Sequence, residues 1–385
     1  MRTHWTRVVV PIAAMAVALI LLTTPGIGLA QPVVKIAVAI PLTGQLARDG
    51  QGAAHAVHLA VDEWNQKGGV LGRRIEVVDA DDQANPQVAV SAAEKVIADP
   101  GILGVLWGIT SSTCIPVSDR TESAGLVMVS PGCGNPKLTE RGLKTVFRMI
   151  PRDDVQGPAG AIFAVNNLHA KKIAAIDDGT AGPRGVADEM EKQAKALGAT
   201  VSRYTIRSGE KDFHAVLNTI PKDTNVIYSA VWAPDAALLA QQMQDVGLKV
   251  PMVGPESQMV VADYVKASGG AAEGNYVTYY APDIRKIPSA AAFVKAYETK
   301  YGEMASYDPF FYDGANLLLT AIKNAGAGAT RATVLSAVRN TKDFPGVLGS
   351  TYNFDAKGDI TARVMHIYQV KGDNFEYTGQ SVTVK

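Results

Sequence analysis

Three consecutive hydroxyls, Ser111, Ser112 and Thr113, follow an apolar run at 102–107 and precede a helical pattern over about 114–124. The free N–H groups and the positive dipole end of a helix N-terminus attract an anion, and small hydroxyls add donors without bulk. One such residue serves as an N-cap in any reading, but three exceed what a cap needs. This favours a carboxylate or other anion site. A second short apolar run, 126–129, leads into a loop at 130–136 that contains Gly132 and Gly134. Two strand–loop units joined by a helix set their loops side by side at the carboxyl edge of a parallel sheet. The chain's two cysteines, Cys114 and Cys133, fall one in each unit. In an oxidising compartment the placement favours a disulfide over two buried thiols, and the spacing is not that of a Cys-x-x-Cys redox pair. Farther along, Glu256 in Val-Gly-Pro-Glu follows a short strand pattern. A lone carboxylate there suits a ligand cation such as an ammonium, and equally a surface Glu that caps the next helix. Trp232, just past another strand pattern, reads as the wall of a small-ligand site or as ordinary core.

Signals for catalysis are poor. The chain has no Walker loop, no His-Glu-x-x-His and no Gly-x-Ser-x-Gly elbow, so a secreted hydrolase has no nucleophile–base pair behind it. Gly50-Gln51-Gly52 opens a helix after a strand but lacks a third glycine and an acidic partner. His55 and His58 stand three apart on a helical pattern with no Cys or Glu nearby to complete a metal set. Asp79, Asp81 and Asp82 could hold Ca²⁺, but capping and loop solvation account for them better. No cofactor and no metal is expected.

The elements that must position these residues alternate from strand to helix. Strand patterns at 33–40, 74–79, 102–107, 126–129 and 145–151 are separated by helical patterns at 50–67, 86–98 and 114–124. A helix from 152 to about 168 follows, and the alternation restarts: strands at 172–176, 200–206, 225–231, 252–254 and 275–280, helices at 183–197, 213–220, 234–246 and 260–267. Helices at 289–301, 308–325 and 332–339 and strands at 349–354, 362–370 and 375–377 complete the chain. This is an α/β fold with two doubly wound, mainly parallel units. Ligands in such sheets bind outside the carboxyl ends of the strands, so two sheets face to face make a cleft.

Composition bounds the class. The chain's 385 residues suffice for two cores, and Lys+Arg and Asp+Glu balance at 37 each, which argues against a nucleic-acid partner or a strong membrane-surface attraction. The first thirty residues carry Arg2 and Arg7, an apolar run at 8–22 and a small-residue stretch at 28–30, which reads as a signal peptide for export to the periplasm. The apolar run is short for a membrane anchor.

The chain resembles the leucine/isoleucine/valine-binding type of periplasmic solute-binding protein, with the type I fold. The likeness covers essentially the whole chain after residue 30: IAVAIPLTG at 36–44, NQKGGVLGR at 65–73, DDQANP at 81–86, the Ser-Ser-Thr loop, SPGCGNPKLT at 130–139 and RDDVQGP at 152–158. It continues through GEKDF at 209–213, VGPE at 253–256, AAEGNYVT at 271–278, YDG at 312–314 and FDAKGD at 354–359. The resemblance implies two lobes, 31–151 with 283–354 and 152–282 with 355–385, joined by three hinge crossings near 151–154, 280–283 and 354–356. It implies that Ser111 and Ser112 hold a ligand carboxylate, that Gly132 and Gly134 supply backbone groups, that Glu256 takes an amino group and that Trp232 is a second-lobe aromatic contact. The expected partner is a membrane ABC permease, or else a receptor if the protein is a sensor, and the expected state is a monomer. Three positions depart from the pattern: Gly134 where a Thr is common, Gly182 where an aromatic is usual, and Arg48-Asp49 where a bulky aromatic often lies. They leave two ligand classes open, a branched-chain or related amino acid and an aromatic or aliphatic acid without the amine.

Overall fold

The computed structural model describes residues 1–4 and 33–384. The signal-peptide expectation falls almost wholly on residues 5–32, outside the described residues. Among the described residues no helix is long and apolar enough to cross a membrane.

The first half alternates β1 (Val34–Ile40), α1 (Ala47–Gln66), β2 (Ile75–Asp81), α2 (Pro86–Ala98), β3 (Ile102–Trp107), α3 (Ser111–Ser123), β4 (Val127–Ser130) and β5 (Val146–Arg148). The strands form a parallel sheet in the order β2-β1-β3-β4-β5. Every residue of β3 is buried, as expected of a strand covered by helices on both faces. Helix α2 starts where its sequence dictates: Asn85 accepts from the N–H groups of Gln87 and Val88, and Pro86 occupies the first turn, where no N–H is needed.

The second half repeats the plan with α4 (Asp153–Ile162), β6 (Lys172–Asp177), α5 (Ala181–Ala196), β7 (Thr200–Thr205), α6 (His214–Leu217), β8 (Val226–Ala230), α7 (Ala233–Asp245), β9 (Met252–Gly254) and β10 (Tyr276–Tyr279). Helices α8 (Ala291–Tyr301), α9 (Asp308–Ala325) and α10 (Arg331–Arg339) then return to the first sheet, where α9 packs on α1 and β3. A small hairpin, β11 (Phe344–Pro345) and β12 (Thr351–Tyr352), precedes β13 (Val364–Lys371) and β14 (Asn374–Thr383). The second sheet runs β14-β13-β10-β9-β8-β6-β7. Its core order, β7-β6-β8-β9-β10, matches that of the first sheet, and β13 and β14 add an antiparallel edge. Each sheet reverses its strand order beside its first strand, which is where crevices open in doubly wound folds.

The chain passes between the sheets three times: after β5, after β10 and before β13. The third passage comes later than 354–356. Residues 355–360 stay beside β5, because the Arg148 N–H donates to the Gly358 carbonyl (2.8 Å) and the Arg148 guanidinium pairs with Asp359 (2.8 Å). Several elements differ from the periodicity. Helix α3 begins at Ser111, three residues before 114, because the hydroxyl residues form its first turn behind Thr110. The segment Val261–Lys266 is a wide π-type turn, and α4 ends in another at Phe163–Asn167. Strand β14 runs on to Thr383, and the 349–354 strand shrinks to β12.

Candidate functional site

Loops from both sheets enclose one interlobe cavity. Ile109 and Ser111 after β3, Gly132 and Gly134 after β4, and Tyr307 before α9 come from the first lobe. Gly182 at the start of α5, Trp232 after β8 and Glu256 after β9 come from the second. About 30 Å³ of it is free for the centre of a water molecule, so the lobes stand close together here.

Two devices fix the first-lobe wall. Cys114, in the first turn of α3, is disulfide-bonded to Cys133 in the loop after β4, with Cα atoms 6.6 Å apart. From behind, buried Arg148 donates to the carbonyls of Cys133 (2.9 Å) and Asn135 (2.9 Å). The Asn135 N–H donates in turn to Ser111 Oγ (3.2 Å), which ties the two loops edge to edge. Ile109 is held at φ 143°, sparsely populated for a β-branched residue, directly against Gly132. These contacts fix the first turn of α3 at the cavity, beside the loop after β4. Ser111 lines the cavity. Ser112, half-buried one step along the helix, does not, and Thr113 turns its hydroxyl back to the Thr110 carbonyl (3.1 Å).

The second-lobe wall carries Glu256 and Trp232, both buried. Tyr307 reaches across from the first lobe and donates its hydroxyl to Glu256 Oε1 (2.9 Å). Tyr280 and Gln156 stand beside the same carboxyl. Burial pushes the Glu256 pKa up, and these donors offset the push in part. Gly182 faces Ser111 across the gap: a Cβ there would lie 3.7 Å from Ser111 Oγ, so a larger side chain would project into the cavity. Arg48 does not line the cavity and instead pairs with Asp263 of the other lobe (2.9 Å).

Among the lining residues that sequence reasoning did not single out are Tyr307 and Asp153. Tyr307 precedes an ordinary Asp-Pro helix start, and no motif signals it. Asp153, the first residue of α4, was visible within RDDVQGP, but only as part of a crossing.

The side groups considered for metals have other partners. His55 stacks on Tyr301 at 4.2 Å between ring centroids, and His58 meets Asp79 (3.0 Å). Asp81 accepts from Leu42 N–H, Thr43 and Gln83 N–H, and Asp82 from Ala84 N–H and the Trp107 indole. Among the described residues no group of three or more His, Cys, Asp or Glu could hold a metal ion.

With this geometry in view, the chain can be set beside known proteins. The family model for periplasmic binding proteins matches residues 33–375. A Leu/Ile/Val-binding protein homolog from Brucella abortus is 34% identical over 348 residues, 89% of this chain and 92% of the relative. The crystal structure of leucine-binding protein LivK from Thermotoga maritima superposes with a TM-score of 0.84 at 28% identity, covering 91% of this chain and 99% of the other. LivJ from Streptococcus pneumoniae, solved with isoleucine, gives 0.83 at 25% identity with the same coverage. A solute-binding protein from R. palustris in complex with benzoate shares the fold, with a TM-score of 0.82 at 20% identity over 92% of this chain and 98% of the other.

Proposed function

Because the chain belongs to the periplasmic binding protein family, we propose that it is an extracytoplasmic solute-binding protein. It captures a small carboxylate-bearing ligand, a branched-chain or related hydrophobic amino acid, between its lobes and delivers it to a membrane ABC permease. No covalent step is required. The reading rests on one observation above others: an anion-attracting helix start at Ser111 and a buried carboxyl at Glu256 face one cavity from opposite lobes. A zwitterion placed between them satisfies both, and burying its two charges is tolerable only when both are paired. Trp232 then walls the side chain, and Gly132 and Gly134 offer backbone groups. In this reading the lobes are 31–151 with 283–354 and 152–282 with 355–385, except that 355–360 stays with the first lobe, and they move about the three passages. Ligand that touches both lobes favours the closed arrangement through its differential contacts.

A thermal-shift screen of refolded protein tests this, because ligand that binds only the folded state raises the melting temperature. Leucine, isoleucine or valine is expected to shift it, and the matching acids without the amine are not. The reverse pattern would keep the clamp and discard the amino-acid assignment. One observation favours that second reading: burial raises the Glu256 pKa, and a protonated Glu256 could meet a ligand that has no ammonium.

A further inference from the structure

A second carboxyl lies in the same cavity wall. Asp153 lines the cavity at 6% exposure, and its Oδ2 has no hydrogen-bond partner. Its own N–H donates to the Gly134 carbonyl (2.9 Å), which locks the start of α4 onto the first-lobe loop. Its side chain fills the place beside Gly134: a Cβ at that position would run into Asp153 Oδ1, so only glycine leaves the carboxyl room.

Among the described residues no cation pairs with this carboxyl. Of the two nearest arginines, Arg148 is committed to Asp359, Thr139 and two loop carbonyls, and Arg152 to Asp154, Glu140 and Asp359. Among the described residues no Lys or Arg lines the cavity. Two carboxyls therefore face one cavity, Glu256 with donors of its own and Asp153 Oδ2 with none among the described residues. A buried carboxylate without a partner is costly, so its complement must come from what fills the space. An ammonium carries three donors and a positive charge and can meet both acids at once.

We propose that Asp153 is a second ligand-contacting carboxylate, and that Asp153 and Glu256 together hold the primary ammonium of the ligand. This inference rests on the amino-acid reading above and narrows it: the site requires an amine and selects against acids that lack one.

Calorimetry on refolded protein with L-leucine, L-isoleucine, L-valine and 4-methylpentanoate, the acid of leucine without its amine, tests the inference. Asp153→Asn and Asp153→Ala are expected to weaken amino-acid binding at least tenfold and to leave the ligand-free melting temperature unchanged or higher, since no internal bond is lost. Gly134→Thr is expected to impair binding by displacing the Asp153 carboxyl, and adding Asp153→Ala to it is expected not to restore wild-type affinity, since the contact itself is then gone. If both Asp153 variants bind leucine like wild type while Glu256→Gln does not, Asp153 is no contact and the amino-acid reading survives. If wild type binds 4-methylpentanoate and none of the amino acids, both fall. If the Asp153 variants lose stability along with affinity, the double variant decides, and wild-type affinity in it overturns the inference.

Discussion

Glu256 has closely constrained surroundings in the cleft. It is buried, it accepts from a tyrosine of the opposite lobe, and it faces another acid. Glu256→Ala is expected to weaken amino-acid binding at least tenfold, about 1.4 kcal/mol, in calorimetry, and unchanged affinity would remove it from the site. Elsewhere burial pushes the pKa of Asp49 up to about 8 and those of Asp308 and Asp313 up to about 7. Such acids hold their protons in the folded chain at pH values where the unfolded chain, with pKa near 3.9, has lost them. Their stabilising contribution is full below about pH 4 and is lost as pH rises through 7 to 8. The melting temperature of ligand-free protein is therefore expected to fall between pH 5 and pH 8. Asp308→Asn, whose Oδ1 can still accept from the Ala305 N–H, is expected to flatten that fall. A wild-type profile flat over this range would contradict the burial argument. Ser111, Gly132, Gly134, Trp232 and Glu256 were legible as cavity residues because each follows a strand at one sheet edge. Asp153 and Tyr307 were not, since tertiary folding alone carries a crossing residue and a helix-start tyrosine to that edge.

Among the elements, the loop after β4 depends most on remote support. Its anchors are the Cys114–Cys133 bridge, which closes 19 residues of chain, and the buried Arg148 fork. Chain-entropy reasoning assigns the bridge about 3 kcal/mol. The double variant Cys114→Ser/Cys133→Ser is expected to lose stability of that order in denaturant unfolding and to bind ligand more weakly, because the loop is freed. Loss of neither would show that Arg148 alone sets the loop. Where an element is fixed locally, the sequence stated it well: β3 is an unbroken apolar run, and α2 carries its own Asn-Pro start. Helix α3 began earlier than its periodicity because hydroxyl residues were weighed as loop when they form a first turn. The apolar spacing at 260–267 matched a helix, but the backbone there opens into a π-type turn, a choice made by packing against α7.

At the scale of the whole molecule, the lobes meet at the rim through Arg48–Asp263, through Ser208 Oγ to Gln45 (3.2 Å) and through Asn135 Nδ2 to the Ala181 carbonyl (2.7 Å). The Arg48 pair is exposed on one side and screened by water. Arg48→Ala is expected to change affinity by no more than about fivefold, in line with 0–1 kcal/mol for such pairs, and less at high salt. A larger loss would make the rim, and not the cavity, the main source of closure. The two-lobed plan was legible as alternation that starts twice. The place of the third passage was not, because it turns on Asp359 meeting Arg148 across some two hundred residues of chain. The Tyr307–Glu256 bond has one more consequence. Tyr307 sits at the start of α9, a helix that runs back over the outside of the first sheet. A transporter that pries the lobes apart from their outer surface needs no finger in the cleft. If Glu256 anchors the ligand as proposed, leverage on α9 would strip a donor from it, make its charge costlier to keep, and unload the cargo by the same motion that opens the way out.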